Sequence, residues 1–451
     1  MRLTSMNLHI ATHQRSNLFL TARIALALIV ITSLTGCPRS RPSRLGGGAG
    51  GGGGKATGVQ FKPDDEAAIT ALNEAEFTFE KNDDGFITTA QGNLKEDSTA
   101  VVESLTKLPN IESLTLSGDV TASTLDALSK LEGLKRLNVT GSGITNEAMK
   151  SIGKLKNLER FFARLTGLTD EGVAELVPLK NLRVVDLRNG NTKDESMGYL
   201  AELPKLIDLQ LERTNVTPEG LKKLTSLPLK SLNLNLNAIY DGGLETICAI
   251  PTLESIQIDS GKVTDKGMAA VANLKKLKTL RMRDNDVTGE GFKHITELKD
   301  LMRLELRGTS LDDDALEIIS NLPNVQHIDI SECRIASPEG IAKLGKLTKL
   351  KSLGLWETKV NDEAMNAMAG LTELETLNLE ATNITDESAD TIAGFKKLKT
   401  LNVSGTQIED EGLRKIGALP NLKLLKLVNT SASYDVIGEL GEKEGLEVED
   451  F

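Results

Sequence analysis

The stretch Leu374-Glu375-Thr376-Leu377-Asn378-Leu379-Glu380-Ala381-Thr382, continued by Thr385-Asp386-Glu387-Ser388-Ala389, is one full copy of a pattern that fills most of this chain. Leu374, Leu377 and Leu379 stand at positions one, four and six, and Thr382 at position nine. Aligned with itself, the chain repeats L-x-x-L-x-L-x-x-(T/N/S) fourteen times, at intervals of 23 to 25 residues. The first positions are Ile111, Leu134, Leu158, Leu182, Leu206, Leu229, Leu253, Leu277, Leu301, Val325, Leu350, Leu374, Leu398 and Leu422. Side chains alternate along an extended chain, so positions four and six share a face and each unit opens with a short parallel strand. The second half of each unit reads like (T/S)-D-E-G-L-x-x-(L/I), as in Thr169-Asp170-Glu171-Gly172-Val173. Thr or Asp there caps a helix, acids suit its first turn, and apolar residues three or four apart, such as Leu413 and Ile416, face the strands.

Composition agrees with thin stacked layers. Apolar residues make up 39% of the 451 residues and aromatic ones only 3%, so the core is built from Leu, Ile and Val. A repeat array evades the usual estimate of domain number from length. The formal charge of −11 disfavours nucleic acid as a partner. Cys37, Cys248 and Cys333 are too few and too scattered for a disulfide framework or a zinc cluster.

The pattern resembles the leucine-rich-repeat family, in the helix-containing type of roughly 24 residues found in bacterial surface proteins and akin to repeats beside F-box domains. The resemblance covers residues 86–451, with the repeats proper at 111–430. It implies an α/β solenoid: a curved parallel sheet on the concave side and helices on the convex side. It also implies that the position-nine side chain bonds loop backbone groups. That position holds Thr166, Thr214, Asn237, Asn285, Thr309, Thr358, Thr382, Thr406 and Thr430, and Cys333 takes the same place as a small buried thiol. Cys248 falls in the helical stretch Gly243–Ala249.

Both ends depart from the repeat. Residues 59–110 read as an amino-terminal cap and first helix: Ala68, Leu72 and Ala75 have helical spacing, and Phe77-Thr78-Phe79 and Phe86-Ile87-Thr88 flank the hairpin turn Asn82-Asp83-Asp84-Gly85. That turn lacks the twelve-residue pattern of a calcium loop. Residues 431–451 read as a carboxyl-terminal cap, with a helix over Tyr434–Leu440 and an edge strand at Leu446-Glu447-Val448.

The first residues point to export. Arg15 and Arg23 precede the apolar run Ile24–Leu34, which is too short for a hydrocarbon core of about 30 Å and reads as a secretory signal over 1–36. Translation starts at Met1 or Met6. Leu34-Thr35-Gly36-Cys37 resembles the lipobox of bacterial lipoproteins, which implies cleavage before Cys37 and its acylation. Residues 37–58 are then a lipidated cysteine and a tether, PRSRPSRLGGGAGGGGGK, with a reach of about 25 Å. Arg39, Arg41 and Arg44 are either headgroup contacts or part of a solvated leader. The expected location is the cell envelope, membrane-attached and facing periplasm or exterior.

Positions three, five and seven face the concave surface. One cluster there combines Arg160, Phe162, Arg164 and Arg188, with Val184 beside them. A second joins Arg281, Arg283, Arg303 and Arg307 with His327, among Asp259, Glu305 and Asp329, and the lone Trp356 follows. Arg and aromatic side chains of this kind dominate interfaces. They are expected to meet a protein partner or an acidic ligand, an acidic polysaccharide included; the alternative for the charged members is mutual solvation by exposed ion pairs.

Catalysis finds no support. Of the four histidines only His294 and His327 lie in the array, and neither sits near a nucleophile elbow. The glycines at 46–54 lack the strand and helix that flank a phosphate loop, and Asp312-Asp313-Asp314 begins a helix. No enzyme activity, cofactor or metal is expected. The expected role is a lipid-anchored interaction scaffold; the alternative is a substrate-recruiting adaptor of a larger enzyme complex.

Overall fold

A computed structural model describes residues 62–95, 98–141 and 144–450. The signal segment, Cys37 and the tether lie outside these residues. The described part is an open α/β solenoid with seventeen strands in one sheet.

Helix α1 (Glu66–Glu74) opens it, capped by the Asp65 carboxylate on the Ala68 N–H. Strands β1 (Thr78–Lys81) and β2 (Ile87–Leu94) form the hairpin. In its turn the Asn82 side chain accepts from the N–H groups of Asp84 and Phe86, which accounts for the polar residues without an ion. The array continues with β3 (Ser113–Gly118), β4 (Arg136–Thr140), β5 (Arg160–Arg164), β6 (Val184–Asp186) and β7 (Asp208–Gln210). Next come β8 (Ser231–Asn233), β9 (Ser255–Gln257), β10 (Thr279–Arg281), β11 (Arg303–Glu305) and β12 (His327–Asp329). The last are β13 (Ser352–Gly354), β14 (Thr376–Asn378), β15 (Thr400–Asn402), β16 (Leu424–Lys426) and β17 (Glu447–Glu449).

Only β1–β2 is antiparallel; β2 to β17 form one parallel ladder. Its two ends refine the sequence reading. The second hairpin strand is already a rung, with Ala90 beside Leu114, although it carries no leucine pattern. At the other end β17 continues the ladder, with Val448 beside Leu425. The pattern therefore stops short of the hydrogen bonding at both ends.

Like positions stack on like. Leu353, Leu377 and Leu401, all at position four, are neighbours in register. In the unit from Leu374, the side chains of Leu374, Leu377, Leu379, Ile384, Ala389, Ile392 and Phe395 are all fully buried between strand and helix. Truncating one such leucine to alanine costs about 2–5 kcal/mol.

Position nine does what the resemblance implies. The hydroxyls of Thr309, Thr358, Thr382 and Thr406 donate to carbonyls three residues back, at 2.6 to 2.7 Å. Asn285 donates to Ile258 O of the preceding unit and to Met282 O, and accepts from the Val263 N–H. Cys333 keeps the ladder with its thiol 3.2 Å from Leu306 O.

The T-D-E-G motif has a reason beyond capping. Asp265 begins its own helix, yet its carboxylate reaches the next unit and accepts from the Thr288 N–H and hydroxyl, both at 2.8 Å, and from the Gly291 N–H at 3.0 Å. Asp194, Asp241, Asp313 and Asp362 bind Thr217, Thr264, Ser337 and Thr385 in the same way. Glycine follows because the aspartate needs the space: a Cβ on Gly291 would lie 2.6 Å from Asp265 Oδ1. Where serine replaces it, as at Ser388, the hydroxyl bonds the carboxylate of Asp362.

This interlock predicts coupled energetics. Asp265→Ala should lower stability by about 1–3 kcal/mol by leaving donors unpaired, and should speed amide exchange at Thr288 and Gly291. Gly291→Ala should also destabilise, but the double variant should cost less than the sum of the two, a double-mutant cycle read by denaturant unfolding. Purely additive costs would remove the interlock. Acid should act in the same direction. The Ser433 N–H and hydroxyl hold Asp410 below the usual carboxylate range, so its stabilisation is present above about pH 4 and is lost as pH falls through the lower folded value.

Candidate functional site

Strand residues at positions three, five and seven point away from the helices, so each unit offers three side chains to the concave face. All ten residues singled out from the sequence stand at these positions. They form two groups, separated by β7, β8 and β9, where Gln210, Asn233 and Gln257 hold position five.

The first group sits on β5 and β6. Phe162 lies beneath the guanidinium of Arg136, a residue of β4 that the sequence reading passed over, 4.6 Å from the ring centre. Arg164 and Arg188 share Asp186, at 2.7 and 2.8 Å, and Asp186 is only 1% exposed. Arg160 is exposed.

The second group runs from β10 to β13 as a lattice of ion pairs. Arg281 binds Asp259 at 2.5 Å, Arg283 binds Glu305 at 2.5 Å, and Arg303 reaches Glu305 at 3.4 Å. Arg307 pairs with Glu332 and lies over the Trp356 indole, 4.4 Å from the ring centre. Each guanidinium of this group thus has a carboxylate. His327 is pushed below the usual imidazole range by burial first and then by Arg303 and Lys351, so it is neutral at pH 7.

The lattice borders a concavity of about 300 Å³, lined by Trp356, His327, Arg303, Ser352, Thr376 and Asn378 among others. Gly354 is among its lining residues and leaves room for the Asp329 carboxylate. Gly354 holds position five of its strand, where β12 carries Asp329 and β14 carries Asn378. A Cβ there would lie 2.6 Å from Asp329 Oδ1 and 3.2 Å from Ser331 Oγ. No other strand from β3 to β16 has glycine at position five. The sequence reading listed residues present at the face and so missed a residue whose contribution is absence. The signal was nonetheless there, in Leu353-Gly354-Leu355-Trp356.

This surface can hold a ligand by hydrogen bonds, charge and one indole; it has no reactive couple. Cys248 and Cys333 are buried, which pushes their thiols up to about 12 and about 11. Among the described residues no group of three His, Cys, Asp or Glu side chains is arranged to hold a metal, and no helix is long and apolar enough to cross a membrane.

Comparison with known proteins gives the same picture. Residues 348–408 match one family model described as leucine rich repeat, and residues 225–248 and 273–295 match another. No curated protein matches the chain. Among solved structures, an internalin from Listeria monocytogenes aligns over 86% of this chain and 95% of its own, with 20% identity and a TM-score of 0.46. A leucine-rich-repeat protein of Leptospira interrogans covers 77% of this chain and 92% of its own, with 21% identity and a TM-score of 0.47. The ectodomain of a plant receptor kinase from Arabidopsis thaliana, solved in complex with Casparian strip integrity factor 2, covers 79% of this chain and 51% of its own, at 18% identity and a TM-score of 0.44. Residues 225–248, 273–295 and 348–408 thus carry leucine-rich repeats, and the strand-and-helix units of the chain stack into a leucine-rich-repeat solenoid.

Proposed function

We propose that the protein is a non-enzymatic scaffold that binds a protein partner on its concave face, and that the concavity between Gly354 and Trp356 receives one projecting side chain of that partner. The carrying observation is the concavity lined by the single tryptophan and by Gly354, the one glycine at position five of strands β3 to β16. Buried indole and guanidinium groups in a pocket contribute most per residue at interfaces. Here they are already ordered: Glu305 and Glu332 hold Arg283 and Arg307, and Arg307 covers one side of Trp356. Side chains fixed beforehand lose less entropy on binding. Leucine-rich repeats generally mediate protein–protein contact, and nothing in this array suits it to chemistry.

We further propose that the scaffold is held at a membrane of the cell envelope by acylated Cys37, with the glycine-rich tether lifting the array from the surface. The support is the order of the sequence features: basic residues, apolar run, Leu34-Thr35-Gly36-Cys37, then a chain with no core-forming residues. Each buried methylene contributes about 0.8 kcal/mol, so several acyl chains hold firmly.

Trp356 reports on the first proposal, because no other tryptophan contributes to fluorescence. A partner identified by affinity capture should shift or quench that emission on binding. Gly354→Asn, which supplies the side chain that β14 carries at this position, should weaken its binding at least tenfold. Trp356→Ala should do the same. Undiminished affinity in both variants would sink the pocket assignment, and binding of a polysaccharide instead would sink the class of partner. For the anchor, cells fed radioactive palmitate should label the wild type and leave Cys37→Ala unlabelled; equal labelling rules the anchor out.

A further inference from the structure

The arginines of β4 and β5 differ from those of β10 to β13 in one respect: their charges are not balanced. Register sets Arg136 directly beside Arg160, and Thr140 beside Arg164. One carboxylate, that of Asp186, serves both Arg164 and Arg188, and Glu212 lies 3.9 Å from Arg188. Arg136 and Arg160 have no carboxylate partner among the described residues. Arg136 is half-buried against Phe162, and its pKa is pushed down by that burial and by the charges of Arg160 and Arg164.

Like charges on adjacent strands destabilise a sheet. The neighbouring strands show how this chain neutralises arginine elsewhere, with an acid placed one unit away, as Asp259 does for Arg281 and Glu305 for Arg283. At Arg136 and Arg160 no such acid is placed. Beyond the Phe162 ring under Arg136, an anion arriving from outside would offset that cost.

The surroundings select the kind of anion. Leu165 is 60% exposed directly after Arg164, and Val184 is half-buried beside Arg160. An apolar rim suits aliphatic or aromatic side chains next to the carboxylates. Arg136 already covers one face of the Phe162 ring, which leaves less of it for a sugar to stack on. A whole polyanion, such as nucleic acid or an anionic bilayer, meets a chain of net charge −11. A short segment meets only the patch, since fields are screened within about 8 Å at physiological salt.

We propose that Arg136, Arg160 and Arg164 form a docking site for an acidic segment of a protein partner, whose carboxylates pair with the guanidiniums while its apolar side chains rest on Leu165 and Val184. This rests on the reading of the concave face as a protein-binding surface, and adds a second contact on different strands with a stated chemistry. Planar guanidinium groups take carboxylates in paired hydrogen bonds, which lysine at these positions would not reproduce.

The test is selection from a random peptide library on the wild-type protein and on the Arg136→Gln/Arg160→Gln pair. A circular-dichroism melt at or above the wild-type temperature shows that the variant folds, since removing the adjacent charges relieves their repulsion. Wild type should enrich peptides carrying Asp or Glu next to aliphatic or aromatic residues. Their affinity should fall at least tenfold on the variant, at least tenfold when their acids become amides, and steeply with added salt. A library that yields no acidic peptide overturns the proposal, as does equal affinity for the variant. Heparin binding more tightly than the peptides, through the same arginines, would make the site one for polysaccharide and overturn the stated partner. Peptides that ignore the arginine pair but are lost on Gly354→Asn overturn this inference and leave the concave-face reading standing. Peptides that depend on neither pair nor pocket defeat both.

Discussion

No unit of this array can satisfy its own backbone. The strand N–H and C=O groups of each repeat are paired with those of the units before and after, in one parallel ladder from β2 to β17. A buried polar group left alone costs several times what a formed hydrogen bond contributes, so adjacency governs the whole structure. The leucine spacing follows from it, because positions one, four and six must stack on their counterparts to close a core only one side chain thick. Position nine follows as well: Thr309 or Asn285 captures the carbonyls released where the strand ends.

The same constraint acts on the helices, where it takes a different chemical form. Helices of four to nine residues offer little helix stability of their own. Their starts are instead tied across units by aspartates such as Asp194 and Asp313, which bind the N–H and hydroxyl of the next N-cap. Slip of one unit against another would break both the stacked core and the aspartate bonds. An array held at two lines presents its strand face as a fixed surface.

Much of this was legible in the sequence because it is periodic. Fourteen copies of one spacing gave the strand, the inward faces and the position-nine ladder, with Cys333 placed correctly as a structural thiol. The failures share a cause. Ile87–Leu94 was not seen as a rung because Ala90 and Gly92 do not look like leucines, although a rung is defined by backbone pairing. Asp170 was read as an acid suited to the first turn of its own helix because its partner lies 23 residues away, at the Lys193 N–H. The two concave arginine clusters were weighed alike, since a sequence shows which charges share a face but not which of them have found partners.

That last distinction separates structure from recognition on this face. Strands lie about 4.8 Å apart, close enough for an arginine on one to meet an acid on the next, and the lattice around Glu305 shows this self-neutralisation nearly complete. A surface that neutralises itself has low net attraction for charge but high rigidity, which is what a pocket wall requires. The concavity at Gly354 lies within this balanced sector, beside the indole. Arg136 and Arg160 stand in a sector that is not balanced, nine and eight strands earlier in the ladder. A rigid, neutral pocket discriminates by shape, whereas an unpaired cationic patch attracts by charge and tolerates variation in what it attracts. Placed on one parallel ladder, the two sectors stand at a separation fixed by the count of strands between them.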